Sequence, residues 1–329
     1  MKKIEEEVVI GIDLGGSAIR LSTVTKRGRI MNPGRIDIAG RRYKDHILTS
    51  IIDNVLDIMS IEKTKGNKVA TVGIGSPGII DFSQGTIISS PNFPDWKDVP
   101  LRSLLERSLD LPVTLENDAN AAAFGEKWKG AGRKVNSLIC ITMGTGIGGG
   151  IILDGNIWHG AHGMGGEVGH MTVNPEGPRC NCGNNGCLEA YSSATGMVRS
   201  AVESINGGKR TILIKLSGGD NNKITAKMIH EAALQGDSVS INILREAGKY
   251  LGIAIAGLMH ILNPEMIVLT GAVTGAWDFF MPAAKKEVEK RAYKAMAEKT
   301  KIVPGMLLDS AGIVGAAGLA MKQRGMLKL

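Results

Sequence analysis

VVIGIDLGGSAIRLSTVT (residues 8–25) and SLICITMGTGIGGGIILDG (residues 137–155) follow one plan: an apolar strand, a turn of clustered glycines, then a second apolar strand. Two such hairpins in a 329-residue chain point to a duplicated α/β domain, since a chain this long exceeds the usual single-domain size. Hydrophobic residues make up 43% and aromatics only 4%, so the core is built from Val, Ile, Leu and Ala, and the 44 glycines serve tight turns between apolar segments. The second hairpin also spells Gly144-x-Gly146-x-x-Gly149, and Gly73-x-Gly75-x-x-Gly78 occurs in KVATVGIGSPGIID (residues 68–81). Both resemble a dinucleotide fingerprint by letter count. Neither opens the helix that fingerprint requires, because β-branched residues follow the first and Pro77 interrupts the second.

Consecutive glycines in a hairpin turn their N–H groups outward with no Cβ to hold off an anion, the requirement for cradling phosphate oxygens. Asp13 and Ser17 adjoin the first turn and Thr145 sits in the second. This suggests a triphosphate, with Asp13 facing Mg2+ through water. A plain hairpin with a surface aspartate is the structural alternative. No GxxxxGK[ST] motif occurs, which excludes a Walker-type NTPase.

LPVTLENDANAAAFGEKWKG (residues 111–130) runs from a strand into an alanine-rich helix and places Asn117 and Asp118 at the junction, where α/β folds present functional groups. Phosphoryl transfer needs positioning, charge neutralisation and a carboxylate near the attacking hydroxyl, and Asp118 fits that last role as catalytic base. Its alternative role is to cap the helix.

GAHGMGGEVGHMTVNPEGPRCNCGNNGCLE (residues 160–189) holds three of the four cysteines. His170, Cys180, Cys182 and Cys187 make a Cys3His donor set for a structural Zn2+. A disulfide with one cysteine left over is the competing arrangement, disfavoured by the reducing cytoplasm that so few cysteines suggest. Glu167 and Glu189 bracket the cluster, and Cys140, inside an apolar strand, reads as core.

The net charge of +7 is dispersed, and its densest run, Arg41-Arg42-Tyr43-Lys44, is short, so no nucleic-acid partner is expected. The N-terminus carries acids where a signal peptide has an apolar region, and the most apolar helix (residues 251–262) is too short for a bilayer. Helices are expected over about 43–60, 195–206, 225–235, 238–262, 281–299 and 311–323. Gly312, Gly315 and Gly318 would permit close packing of the last.

Taken together, DLGGS, LENDANAAAFGE, MGTGIGGGI, GEVGHM and CNCGNNGCLE resemble the ROK family of sugar kinases and repressors. The resemblance implies a two-lobed actin-like (ribonuclease-H-like) ATPase fold with a cleft between lobes. It implies a small N-terminal lobe over 1–117 joined by the C-terminal helix region 305–329, and a large lobe over 118–304 carrying the knuckle. Asp13, Gly15, Gly16 and Ser17 match the first phosphate loop, with Ser17 where Thr is usual. Gly144, Thr145 and Gly146 match the second phosphate loop, and Gly271 the adenosine-side turn. Asp118 matches the base that deprotonates a sugar 6-hydroxyl. Asn92, Asn117, Asp118, Glu167, His170 and Glu189 match sugar ligands, while His170, Cys180, Cys182 and Cys187 match a zinc site. The implied reaction is ATP- and Mg2+-dependent phosphorylation of a hexose, glucose first and N-acetylmannosamine, fructose or another hexose next, by a cytoplasmic homodimer. A repressor of this family would need a helix-turn-helix before the first strand, and about seven residues precede it here.

Overall fold

The computed structural model describes residues 6–327. The chain opens with β1 (Glu6–Leu14), β2 (Ala18–Thr25) and β3 (Ile30–Asp37), then α1 (Lys44–Thr64) and β4 (Asn67–Ser76). Three short strands follow, β5 (Ile79–Asp81), β6 (Thr86–Ser89) and β7 (Lys97–Val99), then α2 (Leu101–Leu109), β8 (Val113–Asn117) and α3 (Asp118–Trp128). The second repeat begins with β9 (Leu138–Met143), β10 (Ile147–Leu153) and β11 (Asn156–Ile157). Helices α4 (Glu189–Ser192), α5 (Ala194–Asn206), α6 (Leu213–Leu216), α7 (Ala226–Leu234) and α8 (Ser238–Leu262) precede β12 (Met266–Thr270). The chain closes with α9 (Trp277–Arg291), α10 (Lys294–Lys299), β13 (Lys301–Pro304) and α11 (Ala311–Gln323).

Among the described residues the strands form a sheet ordered β3-β2-β1-β4-β8, a second ordered β11-β10-β9-β12-β13, and a small antiparallel sheet β5-β6-β7. In the first sheet β2 and β3 run antiparallel, while β1, β4 and β8 are parallel. In the second, β9, β12 and β13 are parallel beside β10. Each sheet thus begins with a glycine-turned hairpin and continues with parallel strands, the duplication the sequence implied.

Contacts divide the chain into two compact units. One takes in the described residues up to Asn136, 150–166 and those from Asp309 on; the other takes in 137–149 and 167–308. Asp118 and all of α3 therefore lie in the first unit, together with α11.

The first unit's core is aliphatic: Val8, Ile10, Ile12 and Leu14 on β1 are shut from solvent, as are Ile47, Ile51 and Val55 at helical spacing on α1. On the other side α11 lies close to the sheet and to α3. A Cβ at Gly11 would overlap the Ile313 carbonyl oxygen, one at Gly73 the Ala316 carbonyl, and one at Gly315 the Ala121 carbonyl. Gly315→Ala should accordingly destabilise by roughly 3 kcal/mol, the scale of overpacking a tight interface. An unchanged melting curve would show that α11 can lift off α3 without cost.

In the second unit Ile139, Ile141, Ile267 and Leu269 are fully buried, and α8 packs on α9 where a Cβ at Gly248 or Gly252 would meet Phe280 or Ala284 backbone. Helix α8 starts at an Asp237 cap that accepts the Ser240 N–H at 2.9 Å and stops at Asn263, whose φ of 42° is left-handed and which precedes Pro264. The expected helix over 281–299 is instead two: α9 ends at Arg291, and Ala292 is extended before α10 begins. Strand β3 and the β5-β6-β7 sheet, whose alternation is weak, were not anticipated. No helix among the described residues is long and apolar enough to cross a membrane.

Candidate active site

In the first unit, strand register fixes the distances that matter. Asp13 pairs with Gly75 on β4, and Gly75 with Glu116 on β8. Neighbouring strands lie ~4.8 Å apart, so the backbones of Asp13 and Glu116 stand about 10 Å apart at the same carboxyl edge of the sheet, and Asn117 and Asp118 follow Glu116 directly. That edge is where ligands bind in α/β sheets.

At the first glycine turn, Gly15 N–H bonds the Ala18 carbonyl at 2.9 Å, and Ser17 is exposed. The Asn92 amide lies over Gly16, so close that a Cβ there would stand 3.1 Å from Nδ2. Asp13 is largely buried, with Arg20 Nη1 3.4 Å from its Oδ2 and Gly312 of α11 against its carboxyl carbon. Burial pushes the Asp13 carboxyl above its ordinary range, the Arg20 guanidinium opposes this, and Asp309 adds to it. A buried carboxyl with an incomplete counter-charge suits a bound cation.

Where β8 meets α3, the capping role belongs to Asn117, whose Oδ1 accepts from Ala119 N–H (2.9 Å) and Asn120 N–H (3.2 Å). Asp118 is the first helical residue, half-buried, with Oδ1 accepting the Ala119 N–H at 2.9 Å. Its carboxylate therefore sits at the N-terminal, positive end of α3. Gly75 makes room for this corner, as a Cβ on it would meet Ala121 Cβ at 3.1 Å and Asp118 Cα at 3.4 Å.

In the second unit, Gly144 N–H bonds the Gly146 carbonyl at 3.0 Å, which folds the turn and leaves Thr145 exposed at its tip. The start of α5 secures it: Ala194 N–H donates to the Gly144 carbonyl (2.9 Å), and Thr195 Oγ1 to that of Thr145 (2.8 Å). Glu189 Oε2 accepts the Ile147 N–H at 2.9 Å, directly beside Gly146. Gly271 ends β12 with φ of 99° and approaches Met143 closely enough to exclude a Cβ.

His170, Cys180, Cys182 and Cys187 converge, with one donor atom from each lying within 4.8 Å of the others. Cys182 and Cys187 sulfurs are 3.7 Å apart, and Cys180 Sγ is 3.8 Å from His170 Nδ1. A tetrahedral ion with 2.3 Å Zn–S bonds requires S···S edges of about 3.8 Å, so the set fits zinc. All four cysteines are free thiols, and the disulfide alternative does not form. Burial pushes the Cys187 thiol up to about 12 and raises Cys180, whereas the Asn184 N–H lowers Cys182. The other His170 nitrogen, Nε2, faces Glu167 at 4.0 Å, so one imidazole can serve a metal and a carboxylate together.

Gly75, which lies in a glycine pattern that opens no helix, and the paired Glu116 and His159 also belong to the corner where β8 meets α3. In the sequence Glu116 is marked only by lying within LENDAN and His159 only by standing just before the 160–189 stretch.

Two sheets of repeated topology, each opening on a glycine turn, with a carboxylate at the carboxyl edge of the first, define the actin-like ATPase fold. The ROK family pattern matches residues 9–323, and the chain belongs to that family. It is 37% identical to a glucokinase of Thermotoga maritima over 96% of this chain and 98% of that one. It is 32% identical to a xylose repressor of Caldicellulosiruptor bescii over 95% of this chain and 78% of that one. A ROK family glucokinase from Streptomyces griseus, solved with glucose and AMPPNP, superposes with a TM-score of 0.82 at 34% identity, covering 96% and 99% of the two chains.

Proposed function

We propose that this protein is an ATP-dependent glucokinase that transfers the γ-phosphoryl group of Mg·ATP to the 6-hydroxyl of glucose. The observation that carries the reading is the half-buried Asp118 carboxylate at the N-terminus of α3, two residues past Glu116, which the strand register places level with Asp13 and two strands from it at one sheet edge. Support comes also from the glucokinase relative of Thermotoga maritima and from the Streptomyces griseus structure, whose ligands are glucose and AMPPNP.

In this reading Asp118 accepts the hydroxyl proton as the oxygen attacks, and that proton transfer is its catalytic contribution. Asn117 has its oxygen engaged in capping, which leaves Nδ2 to donate to a sugar oxygen. Asn92, Glu167, His170 and Glu189 supply further sugar contacts. The N–H groups of Gly16 and Ser17 and of Thr145 and Gly146 hold phosphate oxygens, while Gly15 and Gly144, whose N–H groups bond the Ala18 and Gly146 carbonyls, shape the two turns, and Gly271 borders the adenosine. Asp13 stands toward the magnesium through water, and protonation of its raised carboxyl would weaken that role as pH falls. His170, Cys180, Cys182 and Cys187 would hold zinc, which would supply rigidity by tying the turn Val168–His170, just after Glu167, to the knuckle that leads to Glu189. The four free cysteines fit a reducing cytoplasm, and we extend the proposal to a homodimer.

ADP release measured over a panel of hexoses and N-acetylhexosamines tests the assignment. Glucose should give a kcat/KM at least ~10-fold above mannose, fructose and N-acetylmannosamine, the discrimination available when buried polar groups lose a partner. A higher value for N-acetylmannosamine would make that sugar the substrate, and ADP release indifferent to every sugar would remove the kinase reading.

A further inference from the structure

Behind the Asn117–Asp118 corner lies a hydrogen-bonded chain to which no role has been given. Glu116 is 5% exposed at the end of β8. Its Oε1 accepts the Asn117 N–H at 2.9 Å and Asn120 Nδ2 at 3.0 Å. Its Oε2 is met by His159 Nε2 at 2.9 Å. His159 belongs to the same unit, just beyond β11, and its ring lies on Phe82 of the segment after β5, with centroids 4.3 Å apart and planes at 53°. Asn120 Oδ1 is buried without a hydrogen-bond partner, so the bond from its Nδ2 to Glu116 is what sets its orientation.

We propose that His159 is a positioning residue for phosphoryl transfer: by holding Glu116 it fixes the turn that presents Asn117 and Asp118 to the sugar. The proposal rests on the assignment of Asp118 as base. A buried carboxylate keeps its orientation only while its oxygens are satisfied, and Glu116 divides them, one oxygen on the turn and one on the imidazole. With the imidazole removed, Oε2 must find water, and the carboxylate can rotate away from the Asn117 N–H. Displacement of a catalytic group by about 1 Å can lower a rate ~10²-fold.

The link also depends on pH. The neighbouring Glu116 carboxylate raises His159 above its ordinary value of about 6.5, while burial opposes this. The ion-pair contribution is therefore complete below that ordinary value and is lost as pH rises through the raised one. The other charged groups on neighbouring segments are Asp81, Arg102, Asp118 and His162. Asp81, beside Phe82, accepts from the Ser83 and Gln84 N–H groups; Arg102 of α2 donates to the Phe82 and Ser83 carbonyls. Asp118 Oδ1 accepts from Ala119, and His162 is exposed.

The test uses the full-length protein with Mg·ATP and glucose, comparing wild type, His159→Gln, His159→Ala and Asp118→Asn from about pH 6 to 9, the span over which a raised histidine titrates. An NMR titration of the His159 ring runs alongside. Wild-type kcat should decline on the alkaline side with the midpoint of the His159 resonance. His159→Gln, which keeps a neutral donor, should lose that decline while retaining turnover within about 3-fold near pH 7, and His159→Ala should lose kcat by ~10²-fold with KM for ATP unchanged. If His159→Ala does not fold, the pH profile of His159→Gln decides. An alkaline decline that persists in His159→Gln, or a His159→Ala kcat within about 2-fold of wild type, overturns the proposal. An active Asp118→Asn instead removes the reading beneath it, whereas an inactive Asp118→Asn beside a pH profile unaffected at His159 removes His159 alone.

Discussion

Asp118→Asn is expected to lower glucose-dependent turnover by roughly 10²-fold or more while glucose still binds, because losing a general base removes ~10²–10⁴ in rate. The substitution keeps the size of the side chain and can keep the Oδ1 bond from the Ala119 N–H, so α3 should form as before. The helix cap is untouched, since Asn117 provides it. Glucose affinity by calorimetry should change little beside the change in kcat, the signature of a group acting in the transition state. If the variant turned over at near-normal rate, Asp118 would be a structural residue at a helix start and another group would have to take the proton.

Removing the metal should have the second large effect. In the segment 167–189 regular structure among the described residues is confined to the three-residue helical turn Val168–His170, tight turns such as those closed by Gly177 and Gly183, and isolated bridges, Thr172 to Cys187 and Arg179 to Asn185, before α4 begins. A tetrahedral ion would therefore carry much of the order there, and structural zinc binding is itself folding free energy. Chelation is expected to lower the melting temperature and weaken glucose binding by ~10-fold or more together, as Glu167, His170 and Glu189 lose fixed positions. Cys187→Ser should reproduce both effects. The thiols must be deprotonated to bind, so protons compete with the ion and metal retention should fail as pH drops. A metal-free protein with unchanged melting and unchanged glucose affinity would contradict this account of the knuckle.

The two glycine hairpins and the Cys3His cluster were legible in the sequence because backbone chemistry and tetrahedral coordination restrict residue type at close spacing. The long helix α8 was legible to both ends, through its apolar period and the Asn263–Pro264 stop. What escaped depends on tertiary register. Gly75 matters because β4 places it opposite Glu116, and Gly312 because α11 sets it against Asp13; neither relation leaves a local trace. The Glu116–His159 pair spans 43 positions and unites a motif residue with one that sits outside every motif. The cap at α3 was ambiguous for a similar reason: Asn117 and Asp118 are both good caps by type, and only the backbone, extended at Asn117, decides between them. The charged continuation of α9 has helical composition up to Lys299, and the break at Ala292, extended with φ of −74° and ψ of 150°, leaves no mark in residue type.

The central claim, transfer from ATP to the 6-hydroxyl of glucose, is tested most directly by ³¹P NMR of the reaction of this protein with Mg·ATP and glucose. The account predicts glucose 6-phosphate and ADP formed in equal amounts, with no ADP when glucose is omitted. Phosphate appearing at another hydroxyl, or ADP and free inorganic phosphate accumulating without any sugar ester, would contradict it.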